Sequence, residues 1–72
     1  MTELYANRDI YNEEGDTTIT KGKKYMIYSE VEKEGFENGI GYVVLSDTDE
    51  FLVFDSLFFF TEKQMKAKDF NL

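Results

Sequence analysis

This 72-residue chain must hold itself together with aromatic side chains, because its sequence lacks the cross-links that stabilise many small domains. It has no Cys for disulfides, and neither Cys nor His for a zinc site. A domain of this size buries only about 60% of its unfolded surface. Seven Phe and five Tyr remain, and each such ring can bury about 150–250 Å². We therefore expect one small domain, residues 1–72, folded around an aromatic core.

Turn-forming residues recur at regular intervals and divide the chain into short segments. They occupy residues 12–16, 21–23, 35–39 and 46–49. The segments between them are rich in β-branched and aromatic residues and contain no Pro, which predicts strands. We expect an all-β domain of about five strands over residues 1–60. The alternation of side chains predicts a core of Tyr25, Ile27, Val31, Ile40, Val43, Leu45, Leu52, Phe54, Leu57 and Phe58.

Residues 61–72 have a different character and predict a short helical tail. Thr61 and Gln64 have the spacing of a capping box, and Glu62 and Lys66 form a favourable i, i+4 pair. A helix this short must dock through Met65, Phe70 or Leu72 to be stable.

Three consecutive Phe residues precede the tail, and they cannot all point to one side of a strand. At least one ring must face solvent, the tail or a second copy of the chain. A monomer and a homodimer through Phe59, Phe60 and the tail both stay open.

Three short motifs resemble the pattern of small SH3-like barrel proteins, which are common among phage and mobile-element reading frames. They are Thr-Lys-Gly-Lys-Lys-Tyr at 20–25, Gly-Tyr-Val-Val-Leu-Ser-Asp at 41–47, and Phe-Leu-Val-Phe-Asp-Ser-Leu-Phe at 51–58. The resemblance covers residues 17–60 and implies a five-stranded SH3-like barrel. It further implies that a 3₁₀ turn at residues 55–58 closes the barrel. Phe59, Phe60 and the tail depart from the pattern, and the resemblance by itself assigns no function.

The net charge of −7 arises in one stretch, between Ser29 and Asp55. That stretch has one basic residue, Lys33, and eight acidic residues, while the two flanking parts of the chain nearly cancel. Phosphate binding depends on Lys and Arg, so nucleic acid is not an expected partner. The expected partner is a protein with a basic surface. The predicted partner-binding residues are Glu30, Glu32, Glu34, Glu37, Asp47, Asp49, Glu50 and Asp55.

The strongest candidate within this set is the row Glu30, Glu32 and Glu34. Alternate residues of a strand share a face and lie about 6.6 Å apart. Such a row can imitate the phosphates of a nucleic acid and occupy a protein's nucleic-acid site. The resemblance to barrels that phages often encode, whose short products frequently act on host proteins, adds the source, so together they lead us to expect a phage-type accessory or inhibitor protein. The alternative is a structural barrel in which the charges only keep the protein soluble and protect a strand edge.

A third possibility is a peptide-binding SH3-like module that uses the aromatic residues Tyr28, Phe36 and Tyr42. The alternative for these three rings is packing in the core.

This sequence offers few residues for catalysis or metal binding. Without His and Cys there is no unperturbed base near neutral pH and no thiol nucleophile. We predict no catalytic residues, no enzymatic activity, no cofactor and no structural metal. The runner-up is a weak Ca²⁺ site over residues 47–50, although the loop lacks the Gly that a calcium loop needs. No apolar run is long enough for a membrane span, and the N-terminus does not read as a signal peptide. We therefore expect a cytoplasmic protein.

Overall fold

A computed structural model describes residues 2–70, with side chains described up to residue 67. The chain is mostly β-structure with one short C-terminal helix, as the sequence predicted. The strands are β1 (Thr2–Ala6), β2 (Ile10–Tyr11), β3 (Thr17–Ile19), β4 (Lys24–Glu32), β5 (Ile40–Leu45), β6 (Phe51–Asp55) and β7 (Phe59–Phe60). A 3₁₀ turn, Ser56–Phe58, joins β6 to β7, and helix α1 spans Glu62–Phe70.

Five strands form one antiparallel sheet in the order β6-β5-β4-β1-β7, and β2 and β3 form a separate hairpin. The two edges, β6 and β7, are joined by only three residues, so the sheet must curl strongly. No pairing between β6 and β7 closes it within residues 2–70. The expected 3₁₀ turn is present, but residues 2–70 contain seven strands rather than about five, and the five-stranded sheet is not a closed barrel. β7 has only two residues, and both pair with β1.

A bulge in β4 changes which side chains face the core. Ile27 pairs with Val44 and Ser29 pairs with Val43, so Tyr28 is an extra residue between them. Residues directly opposite each other on antiparallel strands point to the same face. Val44 is fully buried, and it therefore shares the inner face with Ile27.

The predicted core was wrong along β5 and at Val31. Val43 and Leu45 are half-buried on the outer face of the sheet, and Val31 lies on the same outer face after the bulge. Ile40 is exposed. Strand β5 is apolar on both sides, so alternation alone could not tell Val44 from its neighbours.

The buried core centres on the ring of Phe59. Its centroid lies 6.3 Å from that of Tyr25, 6.4 Å from that of Phe54 and 6.0 Å from that of Tyr42. Leu57, which was predicted to be inside, is only half-buried. Phe58 is also half-buried but packs against the core as predicted, and the Arg8 guanidinium lies 4.5 Å from its ring. The buried apolar residues are Ala6, Ile19, Tyr25, Ile27, Val44, Phe54 and Phe59.

The capping box at the start of α1 is confirmed. The Gln64 amide donates to Thr61 Oγ1 at 3.1 Å, and the Thr61 amide donates to Gln64 Oε1 at 2.8 Å. Helix α1 lies against β1 and β7, and Met65 is half-buried. The expected docking of Phe70 and Leu72 concerns side chains outside those described. Helix α1 packs at β7, and the β2–β3 hairpin supplies Ile19 to the core. Neither α1 nor the hairpin covers the outer face of β4, β5 and β6.

Candidate partner-binding surfaces

The eight predicted carboxylate residues lie at the two ends of β5. Glu30 and Glu32 are on β4, and Glu34 and Glu37 are in the turn that leads into β5; we call these four residues the glutamate end. The turn after β5, residues 46–50, carries Asp47, Asp49 and Glu50, and we call it the Asp47 turn. A six-residue strand separates the two by about 17 Å. The single acidic surface expected from the sequence is therefore divided in two.

At the glutamate end, all four side chains are exposed. No Lys or Arg among the described side chains forms an ion pair with any of them. Glu30 faces Tyr42 and Glu32 faces Ile40 across the β4–β5 pairing. The bulge places both on the core side of the sheet, whereas Met26 and Tyr28 are on the outer face. Four exposed carboxylates without an ion pair thus surround one end of the sheet, and Lys33 is the one basic residue of the same turn.

Glu30 also borders a shallow hollow in the surface. Its other walls include Thr2 and Leu4 of β1 and the ring of Tyr42. The hollow combines an apolar wall with a carboxylate at its rim. A Lys or Arg side chain has the matching form, because its stem is apolar and its tip is charged.

In the Asp47 turn, the central carboxylate is engaged within the protein. Asp47 accepts hydrogen bonds from Thr20 Oγ1 at 2.7 Å, from Lys23 Nζ at 2.6 Å and from the Tyr25 hydroxyl at 2.9 Å. Its amide donates to the Thr18 carbonyl at 2.8 Å. Asp47 therefore ties the turn to β3 and to the start of β4.

These contacts set the ionisation of the cluster. Burial acts to raise the pKa of Asp47, but the hydrogen bonds from Lys23, Thr20 and Tyr25 outweigh it, so the pKa lies below its ordinary value. The hydrogen bond between Lys23 and Asp47 is the main cause that raises the pKa of Lys23. Burial is the main cause that raises the pKa of Tyr25. Asp47 is held as an anion and Lys23 as a cation.

The remaining members of the set have separate environments. Asp49 is exposed and adopts a φ of +62°, a left-handed conformation that Asp tolerates better than most residues. Glu50 Oε1 accepts a hydrogen bond from Thr48 at 3.4 Å. Asp55 lies opposite Gly41, near the glutamate end, and accepts a hydrogen bond from the Leu57 amide at 3.0 Å. Asp55 thereby caps the 3₁₀ turn.

The alternative of a Ca²⁺ site over residues 47–50 finds no ligand set. Asp47 is directed toward Lys23, Thr20 and Tyr25. Among the side chains that the structure describes, no three carboxylates are grouped so that they could hold a metal ion.

The aromatic residues of the peptide-binding alternative do not line one groove. Tyr28 and Tyr42 both border the hollow beside Glu30, but the Tyr28 ring packs on Phe51 and the Tyr42 ring packs on Phe59. Phe36 lies over Gly41 beside Val53. A Cβ on Gly41 would come within 2.7 Å of Val53 and 2.8 Å of Phe36, so the close approach of that ring requires Gly.

Sequence reasoning missed an apolar surface on the outer face of β4, β5 and β6. The pairing places Val43 beside Val53 and Leu45 beside Phe51 on this face, and Tyr28 contacts Phe51. The period-two alternation in residues 51–54 could have indicated it, because Phe54 faces the core and Phe51 and Val53 belong to the other side. We call the surface the outer apolar strip: Met26, Tyr28, Val43, Leu45, Phe51 and Val53.

Within residues 2–70, no helix has the length and apolar character needed to cross a membrane. Comparisons of the chain with protein-family models, with curated proteins and with solved structures found no match.

Proposed function

We propose that this chain is a small binding protein that docks onto a basic surface of another protein through the glutamate end. The observation that carries the proposal is the contrast in charge compensation. Asp47 has an ion pair and three hydrogen bonds inside the domain, whereas Glu30, Glu32, Glu34 and Glu37 have no ion pair among the described side chains. Clustered charges of one sign attract and orient an oppositely charged partner.

The hollow beside Glu30 supports the same proposal. A Lys or Arg of the partner fits there with its stem against Leu4 and Tyr42 and its charge near the Glu30 carboxylate. Glu32 is the next residue on the same face of β4, about 6.6 Å away. The pair can meet successive basic side chains that would otherwise bind phosphates, which is how the protein would inhibit a nucleic-acid-binding host protein.

We also propose that the sheet is an open form of the SH3-like arrangement. A Lys-Gly-Lys turn precedes β4, β5 and β6 form a hairpin around a polar turn, and a 3₁₀ turn follows β6. These features support an open SH3-like arrangement of the phage type. We further propose that the protein acts in the cytoplasm, without an enzymatic activity or a cofactor. In this proposal Asp47 and Asp55 stabilise the domain, and Asp49 and Glu50 are available to the partner.

The proposal is tested by capture from a bacterial lysate with matched charge reversals. The test variant is Glu30→Lys, Glu32→Lys, Glu34→Lys. The control variant is Glu13→Lys, Glu14→Lys, Asp16→Lys, which makes the same change in net charge at three exposed residues of the β2–β3 turn. We expect the wild type and the control to retain the same partner and the test variant to lose it.

Salt provides an independent measurement. Attraction between exposed charges weakens as the Debye length falls from about 10 Å at 0.1 M salt to about 3 Å at 1 M. We expect the association rate with the captured partner to fall steeply over this range.

Equal capture by the wild type, the test variant and the control variant would show that the glutamate end is only a solvated surface, as the structural alternative holds.

A further inference from the structure

We propose that the open edge of β4, beyond the end of β1, receives an extended partner segment as an added strand with Lys or Arg at two alternate positions. This inference rests on the proposed function and names the kind of segment that the glutamate end binds. Strand β1 pairs with β4 only as far as Thr2 and Ile27, whereas β5 pairs with β4 as far as Glu32. Within residues 2–70, no strand pairs with the other edge of residues 28–32.

The backbone of Glu30 and Glu32 is directed toward this open edge. The Lys33 amide donates to the Gly39 carbonyl at 2.9 Å, which makes these opposite residues a hydrogen-bonded pair of the β4–β5 ladder. Such pairs alternate along antiparallel strands. Val31 therefore also bonds to β5, and the N–H and C=O groups of Glu30 and Glu32 point away from β5. Backbone groups along an open edge are a template for a further strand, and several peptide-binding domains extend a sheet in this way.

The side chains beside the open edge specify its occupant. Glu30 and Glu32 lie on the inner face and have no ion pair among the described side chains. Residues directly opposite each other on antiparallel strands share a face, and opposite charges there attract. An added strand places two alternate residues opposite these carboxylates, where Lys or Arg is complementary. The residue between them lies opposite Val31 on the outer face, where an apolar β-branched side chain fits. Lys33 follows the end of β4 and alternates to the outer face.

The hollow beside Glu30 lies at the same edge. Its walls include Ile27 and Ser29 of β4 and Thr2 of β1, at the point where the pairing of β1 with β4 ends. The stem of the basic residue opposite Glu30 fits in this hollow, with its charge near the carboxylate. Charges on an edge strand prevent indiscriminate pairing with other chains. Here they disfavour acidic strands and favour a basic one, so the same carboxylates protect the edge and select the partner.

A second copy of the chain does not have the complementary charge. Pairing this edge of two copies would bring Glu30 and Glu32 of one copy against the same residues of the other, and like charges directly opposite each other are destabilising. The net charge of −7 adds to the repulsion between the copies. The occupant is therefore a basic segment of another protein.

The test uses synthetic peptides that differ only in backbone methylation. The parent peptide is Thr-Thr-Lys-Val-Lys-Thr-Thr with both termini blocked. In an added antiparallel strand, the amides of the two Lys donate to the carbonyls of Glu30 and Glu32, and the amide of the central Val points away from β4. We expect N-methylation of the second Lys to weaken binding by at least about tenfold. N-methylation of the central Val is the matched control and should change binding little.

Amide hydrogen exchange reports the pairing on the protein itself. With saturating parent peptide, we expect exchange at the Glu30 and Glu32 amides to slow by at least about tenfold, because each becomes a donor to the peptide. The Val31 amide is the internal control, since it already donates to β5 and should change less.

The charges are tested separately from the backbone. Glu30→Gln with Glu32→Gln keeps the backbone amides and nearly the shape of the side chains, and it should weaken binding of the parent peptide by at least about threefold at low salt. Glu13→Gln with Glu14→Gln makes the same change in net charge in the β2–β3 turn and should leave binding unchanged. A proton–nitrogen NMR spectrum checks that both variants are folded.

The outcomes separate this inference from the proposed function. If the two methylated peptides bind alike, or the parent peptide protects neither the Glu30 nor the Glu32 amide, no strand is added and the inference is wrong, although the acidic docking surface can still stand. Protection of these amides that grows with protein concentration in the absence of peptide would assign the edge to a second copy and overturn the stated occupant. If the Glu30, Glu32, Glu34 reversal leaves partner capture intact, the proposed function fails, whatever the peptides do.

Discussion

The two ends of strand β5 both carry clustered carboxylates, but the protein uses them differently. In the Asp47 turn, the Asp47 carboxylate accepts three side-chain hydrogen bonds and pairs with Lys23. At the glutamate end, four exposed carboxylates have no such pairing among the described side chains. A paired, half-buried charge stabilises a fold, whereas a row of unpaired exposed charges does not.

Sequence position alone therefore does not reveal what an acidic residue is for. Asp47 and Glu32 belong to the same acidic stretch, yet only Asp47 connects three elements. The contrast leads to four predictions about stability. Each concerns the replacement or protonation of an acidic residue at one of the two ends of β5.

Replacing Asp47 should have the largest effect. Asp47→Ala removes the acceptor of three hydrogen bonds and leaves the Tyr25 hydroxyl without the carboxylate it donates to. We expect a loss of about 2–3 kcal/mol in the free energy of unfolding, because hydrogen bonds to a charged group contribute more than neutral ones. Urea unfolding measures it. Glu32→Ala is the control and should change stability by no more than about 0.5 kcal/mol. Similar losses for both would remove the distinction between the two ends.

Acid should remove part of the same stabilisation. The pKa of Asp47 in the folded protein lies below its ordinary value of 3.8. Its contribution is therefore fully present above about pH 4 and is lost as the pH falls through the folded pKa. We expect the gap in unfolding free energy between wild type and Asp47→Asn to be constant from pH 7 to 5 and to narrow below pH 4. A gap that persists unchanged to pH 2 would contradict the assigned hydrogen bonds.

Asp55 should be the exception near the glutamate end. Its carboxylate accepts a hydrogen bond from the Leu57 amide at the start of the 3₁₀ turn. Asp55→Ala should cost about 1 kcal/mol, the usual effect of losing a cap, and Asp55→Asn should retain most of the stability because the amide oxygen can still accept. Thermal unfolding of the two variants distinguishes them. Equal destabilisation would mean that charge, rather than the cap, matters at this position.

Relieving repulsion at the glutamate end should have the smallest effect, and it should be stabilising. Glu32→Thr removes a charge next to Glu30 and introduces a residue that favours strands. We expect a gain of a few tenths of a kcal/mol, up to about 0.5, in low salt. The part due to repulsion should disappear at 1 M salt. Glu3→Thr is the matched control, because Glu3 of β1 lies opposite the uncharged Met26 of β4. If both variants gain equally in unfolding free energy, the strand propensity of Thr explains the gain, and repulsion between Glu30 and Glu32 does not.

Local signals in the sequence predicted much of the fold. The turns at residues 12–16, 21–23, 35–39 and 46–49 separate the observed strands. The capping box of α1 is present as its spacing predicted, and the 3₁₀ turn after Asp55 is present as the resemblance implied. The turns and the capping box each depend on a few neighbouring residues, so short-range chemistry was sufficient to identify them.

Features that depend on distant residues could not be predicted in this way. The bulge at Tyr28 arises from the pairing of β4 with β5, and it placed Val31 on the outer face, while the pairing of Val44 with Ile27 placed Val44 rather than Val43 on the inner face. It also separated Glu30 and Glu32 from Met26 and Tyr28. Because a shift of one residue exchanges the two faces of a strand, an apolar strand such as β5 has no internal signal for its register.

By itself, the sequence determined that this protein is a β-rich domain with an aromatic core, a short capped helix and an acidic middle. Composition, turn chemistry and local spacing decide those properties. Only the tertiary structure decided that Phe59 is the central ring, that Asp47 is hydrogen-bonded within the fold, and that the outer face of β4, β5 and β6 carries an exposed apolar strip. These roles depend on which strands meet, and pairing between strands is decided by the packing of the whole sheet.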